Sequence, residues 1–301
     1  MKNIITSLIG VLFCLTVSCA QNTRTNTKFD EVQLLDRLEI LSSDKFEGRR
    51  TGEKGNDSAR AYIIQQFKSQ GTSGFNGVYE HPFSFETRDE KYNATNILVE
   101  IKGTIYPEKY IVISAHHDHL GVSGDDIYNG ADDDASGISA LISFAAYFAQ
   151  NPPKHSVILA AFDAEELGLR GAKHFVATFD KSKILLNLNM DMISRSAKDE
   201  LYVVGARYNE QLKLILDSFN NPTSSKLLQG HDGTDGKQDW TKSSDHGPFH
   251  DVNIPFLYFG NEDHVSYHKP TDNFDAITPQ FYKNSVHIIM SVFELIDDSK
   301  L

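Results

Sequence analysis

One stretch constrains this chain more than any other. Tyr110-Ile111-Val112-Ile113-Ser114 is a β-branched run of the kind that fills a buried strand. It runs directly into Ala115-His116-His117-Asp118-His119-Leu120-Gly121, and soon afterwards into Gly130-Ala131-Asp132-Asp133-Asp134-Ala135-Ser136-Gly137. Open α/β sheets place their ligands beyond the carboxyl ends of their strands. Two further apolar runs end in the same manner. Residues 156–162 lead into Asp163-Ala164-Glu165-Glu166-Leu167-Gly168, and residues 184–190 into Asp191-Met192-Ile193.

The rest of the chain supplies a frame for these strands. Helical spacing starts near Phe29 and carries Val32, Leu34, Leu35, Leu38 and Leu41. A Gly- and charge-rich loop at 43–55 precedes a second helix over 57–70. Strands are expected at 79–85 (an edge), 96–102, 201–204 and 254–259, and helices at 136–149 and 209–219. A last helix over 279–296 has Thr278 as N-cap and Pro279 at its first position. This alternation predicts an α/β fold: a single domain with a mixed, mostly parallel central sheet and helices on both faces. A chain of 301 residues, 40% hydrophobic, can bury one substantial core.

The formal charge of −12 is spread along the chain without a basic stripe, which excludes nucleic acid and an anionic membrane surface as partners. Met1-Lys2-Asn3 and the short apolar run that follows read as a signal peptide over residues 1–18. Cys19 is then the lipidated first residue of a bacterial lipoprotein, with cleavage to a soluble secreted protein as the alternative. Residues 19–28 form a flexible tether, and 29–301 the catalytic domain. The expected location is the periplasm or the outer-membrane surface, with membrane contact only through that anchor. Cys14 and Cys19 are the only cysteines, so the mature domain offers neither a disulfide nor a thiolate ligand.

Any metal must therefore be held by histidines and carboxylates. His116, Asp118, Asp132, Glu165, Glu166, Asp191 and a late histidine make such a set. Zinc accepts imidazole and carboxylate, and an open position lets water ionise near neutral pH. Strand alternation puts His116 and Asp118 on one face and His117 on the other.

The order H-x-D, G-A-D-D-D-A-S-G, D-A-E-E-x-G, N-x-D-M-I and Y-H-x-x-x-D, from His116 to Asp272, resembles metallopeptidase family 28. Glu47-Gly48-Arg49-Arg50-Thr51-Gly52 is also similar to the family's leading segment. That family comprises two-zinc aminopeptidases, with glutamate carboxypeptidase and glutaminyl cyclase as relatives, and the resemblance implies their zinc-exopeptidase, phosphorylase/hydrolase-like fold. Carried over residue by residue, it implies two Zn2+ per chain. His116 and Asp191 would hold one, Glu166 and His268 the other, and Asp132 would bridge them. Asp118 would orient His116, and Glu165 would be the general base. A cis peptide would join Asp132 to Asp133. Tyr267 would polarise the scissile carbonyl or merely pack beside its neighbour. Asp245 and His246 would line the substrate side or belong to a turn. His231 reads as a surface residue, and His250 and His264 as loop residues without a role. His119 either supports the site or starts the turn at Gly121.

The expected activity is a zinc-dependent aminopeptidase acting on peptides. A glutaminyl-cyclase-like transferase would lose part of the second ligand set, and a carboxypeptidase would want an arginine cluster that this chain does not display. A non-catalytic binding module should have substituted ligands, and here every position is filled.

Overall fold

The computed structural model of the chain describes residues 27–88 and 90–299. The leader, Cys19 and most of the tether lie outside the described residues. Helix α1 (Glu31–Leu41) is capped by Asp30, whose carboxylate accepts from the Val32 and Gln33 N–H groups. A tight turn over Asp44–Arg49 joins it to α2 (Lys54–Ser69). Next come β1 (Ser73–Gly74), β2 (Glu80–Glu86), β3 (Lys91–Ile101) and β4 (Tyr106–His116), then a small hairpin of β5 (Gly121–Ser123) and β6 (Asp126–Tyr128). They are followed by α3 (Ser136–Phe148), β7 (His155–Phe162), α4 (Arg170–Thr178), β8 (Ile184–Met190), β9 (Glu200–Val204) and α5 (Glu210–Asp217). The chain ends with β10 (Lys226–Gln229), α6 (Gly247–Asp251), β11 (Phe256–Gly260) and α7 (Pro279–Asp298).

Nine strands form one sheet in the order β1-β3-β7-β4-β8-β11-β9-β10, with β2 also paired to β3. The centre, β7-β4-β8-β11, is parallel throughout. The flanks turn antiparallel, at β3 against β7 and at β9 against β11. The mixed sheet expected from the sequence is thus parallel where the acidic strand ends are, bordered by antiparallel pairs, with β10 again parallel to β9 at the far edge.

Alternation along each central strand sorts the core into two layers. Ile111, Ile113 and Ala115 of β4, with Val157, Leu159 and Ala161 of β7, pack against α1, α2, α3 and α7. Val112 of β4, with Ile158, Ala160 and Phe162 of β7, faces α4 and the Phe249 turn of α6. β8 departs from this pattern on its second face, where Asn187 and Asn189 point under the site. Asn187 Nδ2 donates to Ser114 Oγ at 2.9 Å, Ser114 Oγ to Asn189 Oδ1 at 2.6 Å, and Asn189 Nδ2 to Ser244 Oγ at 3.0 Å.

Helix α4 and strand β10 are among the elements that escape the sequence reading, each for a local reason. Helix α4 follows Leu169, whose φ of 60° breaks the chain direction just after the Glu165-Glu166 pair. Strand β10 has only four residues and no alternation of burial.

Candidate metal centre

The parallel register brings three strand ends to one edge. His116 is level with Phe162 and Ser114 with Asn189, so the segments leaving β4, β7 and β8 emerge side by side. Phe259 of β11 is level with Met190, which sends the segment from Asn261 to His268 over the same edge.

Two groups of side chains form there. His116, Asp133 and Asp191 bring ligand atoms within 4.8 Å of one another, and so do His119, Asp133 and Glu166. His116 Nε2 lies 3.1 Å from Asp133 Oδ1 and 3.6 Å from Asp191 Oδ1. His119 Nδ1 lies 2.7 Å from Glu166 Oε1 and 3.9 Å from Asp133 Oδ2. His268 Nε2 joins the second group, 3.2 Å from Asp133 Oδ2 and 3.5 Å from Glu166 Oε2. One oxygen of Asp133 faces each group, which is the arrangement of a bridging carboxylate.

The unsatisfied atoms test whether a metal fits. His116 Nε2, both ring nitrogens of His119 and Glu166 Oε1 are buried without a hydrogen-bond partner. Buried polar atoms are nearly always paired, so these orphaned atoms around Asp133 call for a partner that is not protein. Imidazole and carboxylate on two sides of one shared carboxylate suit zinc.

The surroundings fix these ligands. The Asp118 main-chain carbonyl lies 3.1 Å from His116 Nδ1, and a carbonyl can only accept. Nδ1 therefore carries the proton and Nε2 is left free to ligate. The Asp118 carboxylate, expected to orient His116, stands 3.7 Å from that ring and does other work. It also accepts from the main-chain N–H groups of Glu165 (3.0 Å) and Glu166 (3.3 Å), so it holds the glutamate pair as well as pairing with the histidine. Burial alone would lower the His116 imidazole, but Asp191, Asp118 and Asp133 push it well above its usual range in the metal-free chain.

The three consecutive aspartates have three different roles, and here the sequence reading needs correction. Asp132 does not bridge. Its carboxylate is turned away, accepting from Ser194 N–H (2.7 Å), Ser194 Oγ (2.8 Å) and Asn261 Nδ2 (3.1 Å), with His264 Nε2 at 3.0 Å. The bridging position belongs to Asp133, one residue later, and the cis peptide likewise joins Asp133 to Asp134, not Asp132 to Asp133. Asp134 accepts from the N–H groups of Gly137 (2.8 Å) and His116 (3.2 Å). Asp272 accepts from the N–H groups of both Asp132 and Asp133. Gly130 makes the entry possible: its φ is +56°, and a Cβ there would sit 2.0 Å from the Asp133 carbonyl oxygen and 2.6 Å from the His119 ring.

Glu165 and Glu166 line a cleft of about 340 Å³ together with Asp133, Asp191, Tyr267 and His268. Burial pushes the Glu165 carboxyl well above the usual range, opposed by His116 and reinforced by Asp191. Tyr267 faces the cleft and stacks on His268, ring centroids 3.9 Å apart. Burial and the surrounding carboxylates raise its hydroxyl, which keeps it a hydrogen-bond donor. Trp240 and Met192 add apolar surface to the same cleft.

Asp245 and His246 do not line the substrate side. His246 is wholly buried, stacked on Phe256 and Tyr258, with Nε2 2.8 Å from the Trp240 carbonyl. Asp245 is also fully buried, beneath Glu165 and His116. Their neighbours Lys242 and Ser243 reach the cleft instead. His231 is not on the surface: it is 4% exposed and lies flat on Trp240 at 3.5 Å.

Asp133, His119 and His264 are the site residues that pattern reading missed or left without a role. For His119 the available signal was the fourth position of H-H-D-H, but β4 ends at His116 and alternation stops with it. His264 gave no signal, because its partner Asp132 is 132 residues away in sequence.

Comparison with known proteins points to a family of peptidases. The model of the family described as "Peptidase family M28" matches residues 96–293. Aminopeptidase YwaD of Bacillus subtilis is 28% identical over 202 residues, covering 63% of this chain and 42% of that protein. An aminopeptidase from Aneurinibacillus sp. strain AM-1 superposes with a TM-score of 0.70 at 16% identity, covering 88% of this chain and 93% of the other. Porphyromonas gingivalis glutaminyl cyclase gives the same TM-score at 16% identity, covering 89% and 99%. The chain spans 34–42% of the length of the first curated relatives it matches.

Proposed function

We propose a function from one premise, that this chain belongs to peptidase family M28: it is a zinc-dependent aminopeptidase that removes N-terminal residues from peptides. The observation that carries this reading is the pair of ligand groups sharing Asp133, with Glu165 beside them in an open cleft. His116 and Asp191 would hold one Zn2+, and Glu166, His268 and His119 the other, with Asp133 shared between them. When bound, zinc polarises the scissile carbonyl and brings water into its ionisable range.

The chain's own residues do the rest. Glu165 takes the proton from the attacking water and returns one to the leaving amine. Asp118 fixes the Glu165 main chain, so the base stands where its neighbour Glu166 is tied down. The Tyr267 hydroxyl donates to the carbonyl oxygen as negative charge develops there. The cationic amine of a peptide N-terminus is drawn into a cleft walled by Asp133, Glu166, Asp191 and Asp263.

A glutaminyl-cyclase activity is the second reading, favoured only by an equal likeness of fold. Both ligand groups are filled here, which supports hydrolysis. The leader sequence and Cys19 support a domain held outside the cytoplasm by a lipid anchor, and labelling with radioactive palmitate would detect that anchor.

Metal analysis followed by a panel of aminoacyl-nitroanilides, with and without chelator, tests the main reading. We expect two zinc ions per chain and chelator-sensitive release of nitroaniline. Cyclisation of N-terminal glutamine with ammonia release, and no aminoacyl cleavage, would replace it with the second reading.

A further inference from the structure

Arg49 lies outside the ligand set, yet it is the largest fully buried side chain of the molecule's described part. It enters the interior from a left-handed turn in which Glu47, Gly48 and Arg49 all have φ between 49° and 63°. The turn packs tightly, since a Cβ at Gly48 would lie 2.4 Å from the Gly121 carbonyl oxygen. The guanidinium makes five hydrogen bonds, and all five end on main-chain carbonyls. Nε donates to His117 (3.0 Å), Nη1 to Leu41 (3.0 Å) and Asn129 (2.5 Å), and Nη2 to Gly130 (3.0 Å) and Asp133 (3.5 Å). A guanidinium has five N–H donors, so its fork is saturated. Its own carbonyl accepts from the His119 N–H (3.3 Å) and from Asn56 Nδ2 (3.0 Å).

Four of these five contacts share one property, while the fifth ties the fork to Leu41 at the end of α1. His117 sits between the ligands His116 and His119, while Asn129, Gly130 and Asp133 make up the strap that delivers the bridging carboxylate. The β5–β6 hairpin pairs Gly121 with Tyr128, but among the described residues no main-chain hydrogen bond joins 117–120 to 129–134, the two stretches that carry the ligands. We propose that Arg49 is the positioning residue of the metal centre, its rigid fork setting the spacing between the His116–His119 segment and the Asp133 strap and so the affinity for both ions. It also places a cation behind Asp133, Asp134, Asp272 and Asp118, which offsets their mutual repulsion before metal arrives.

The inference rests on the centre being a zinc site, and the experiment separates the two. Zinc is titrated into metal-free wild type, Arg49→Lys and Arg49→Met in competition with a chromophoric chelator, with thermal melts of each metal-free chain alongside. Arg37→Lys is the control, a buried arginine bonded to Gln33 and Gln66 of α1 and α2 rather than to the site. We expect Arg49→Lys to weaken zinc binding by about 10–100-fold, the range for groups that orient metal ligands. Lysine keeps the charge but lacks the planar fork, so it should rescue little of the loss in Arg49→Met. The control should bind zinc as wild type does. Arg49→Lys with wild-type zinc affinity and only a lower melting temperature would reduce Arg49 to a structural brace and overturn the proposal. If neither Arg49 variant folds, Asn56→Ala decides: its amide donates to the Arg49 carbonyl (3.0 Å) and to Asp163 Oδ1 (3.2 Å), and Asp163 keeps the Thr51 hydroxyl and the Thr95 N–H, so a several-fold weaker affinity supports the proposal and an unchanged one overturns it. A wild-type chain that binds no zinc would instead break the reading of the centre itself.

Discussion

Two histidine–carboxylate groups stand at opposite ends of the same parallel strands. At the amino end of β7, His155 Nδ1 lies 2.9 Å from Asp297 Oδ1 of α7. Asp297 also accepts from the N–H groups of Lys154 (2.7 Å) and His155 (2.9 Å), and the His155 ring stacks on Tyr106 at 4.7 Å. Neither residue keeps a buried polar atom without a partner. At the carboxyl end of β4, the same residue types leave His116 Nε2, both nitrogens of His119 and Glu166 Oε1 unpartnered. The two groups have the same chemistry and are comparably buried. What separates a brace from a ligand set is the unfilled bonding capacity, which residue type does not reveal.

The comparison can be broken most directly at Asp133. Asp133→Ala should strip both zinc ions, and turnover should fall by at least the ~10²–10⁴-fold that a general base contributes. Asp297→Ala should leave zinc content at the wild-type level by elemental analysis. Retention of both ions by Asp133→Ala would remove the bridge. Glu165→Gln is the next test. It keeps every ligand, so two zinc ions should remain while kcat falls ~10²–10⁴-fold; unchanged turnover would dismiss Glu165 as the base.

At the other end, the effect should be on folding alone. Asp297→Ala leaves two buried donors and one half-buried donor without their acceptor and should cost about 1–3 kcal/mol in urea unfolding, with kcat unchanged. A change in zinc affinity from that variant would show the two ends to be coupled.

The smallest effect is a slope with pH. In the metal-free chain, burial raises Asp272 to about 6 and Asp245 to about 8, and neighbouring carboxylates raise His116. The folded chain then binds more protons than the unfolded chain from about pH 4 upwards, so by linkage its stability falls as pH rises through that window to about 8. Zinc reverses the sign, because protons compete with it for the ligands. Urea midpoints of metal-free and zinc-loaded chains should therefore diverge with rising pH, and parallel curves would contradict a site built from these groups.

Much of this was readable from the sequence because strands declare themselves. β4, β7, β8 and β11 are apolar runs, three of them ending in acidic or histidine residues, and the parallel register does the rest. The failures lie where no period operates. Residues 131–135 are neither regular helix nor strand, with Asp133 at φ −107°, ψ 94° and Asp134 at φ −130°, ψ 44°. Three identical side chains in such a segment cannot be ranked by spacing. Their roles are set by Ser194, Asn261, His264 and Asp272, which arrive from far along the chain. His246 failed for a similar reason: its fate follows from Phe256 and Tyr258, to which no local pattern links it.

The polar ladder of Ser114, Asn187, Asn189 and Ser244 has a further consequence. Apolar strands slide against one another at little penalty, because one aliphatic contact replaces another. Here a slip of β8 along β4 by one residue would turn the two amides toward the aliphatic layer and orphan the hydroxyls they serve. It would also carry Asp191 about 3.3 Å from its place beside His116. The ladder is thus an alignment key: it makes the one pairing that assembles the ligands also the one pairing in which the sheet interior is satisfied.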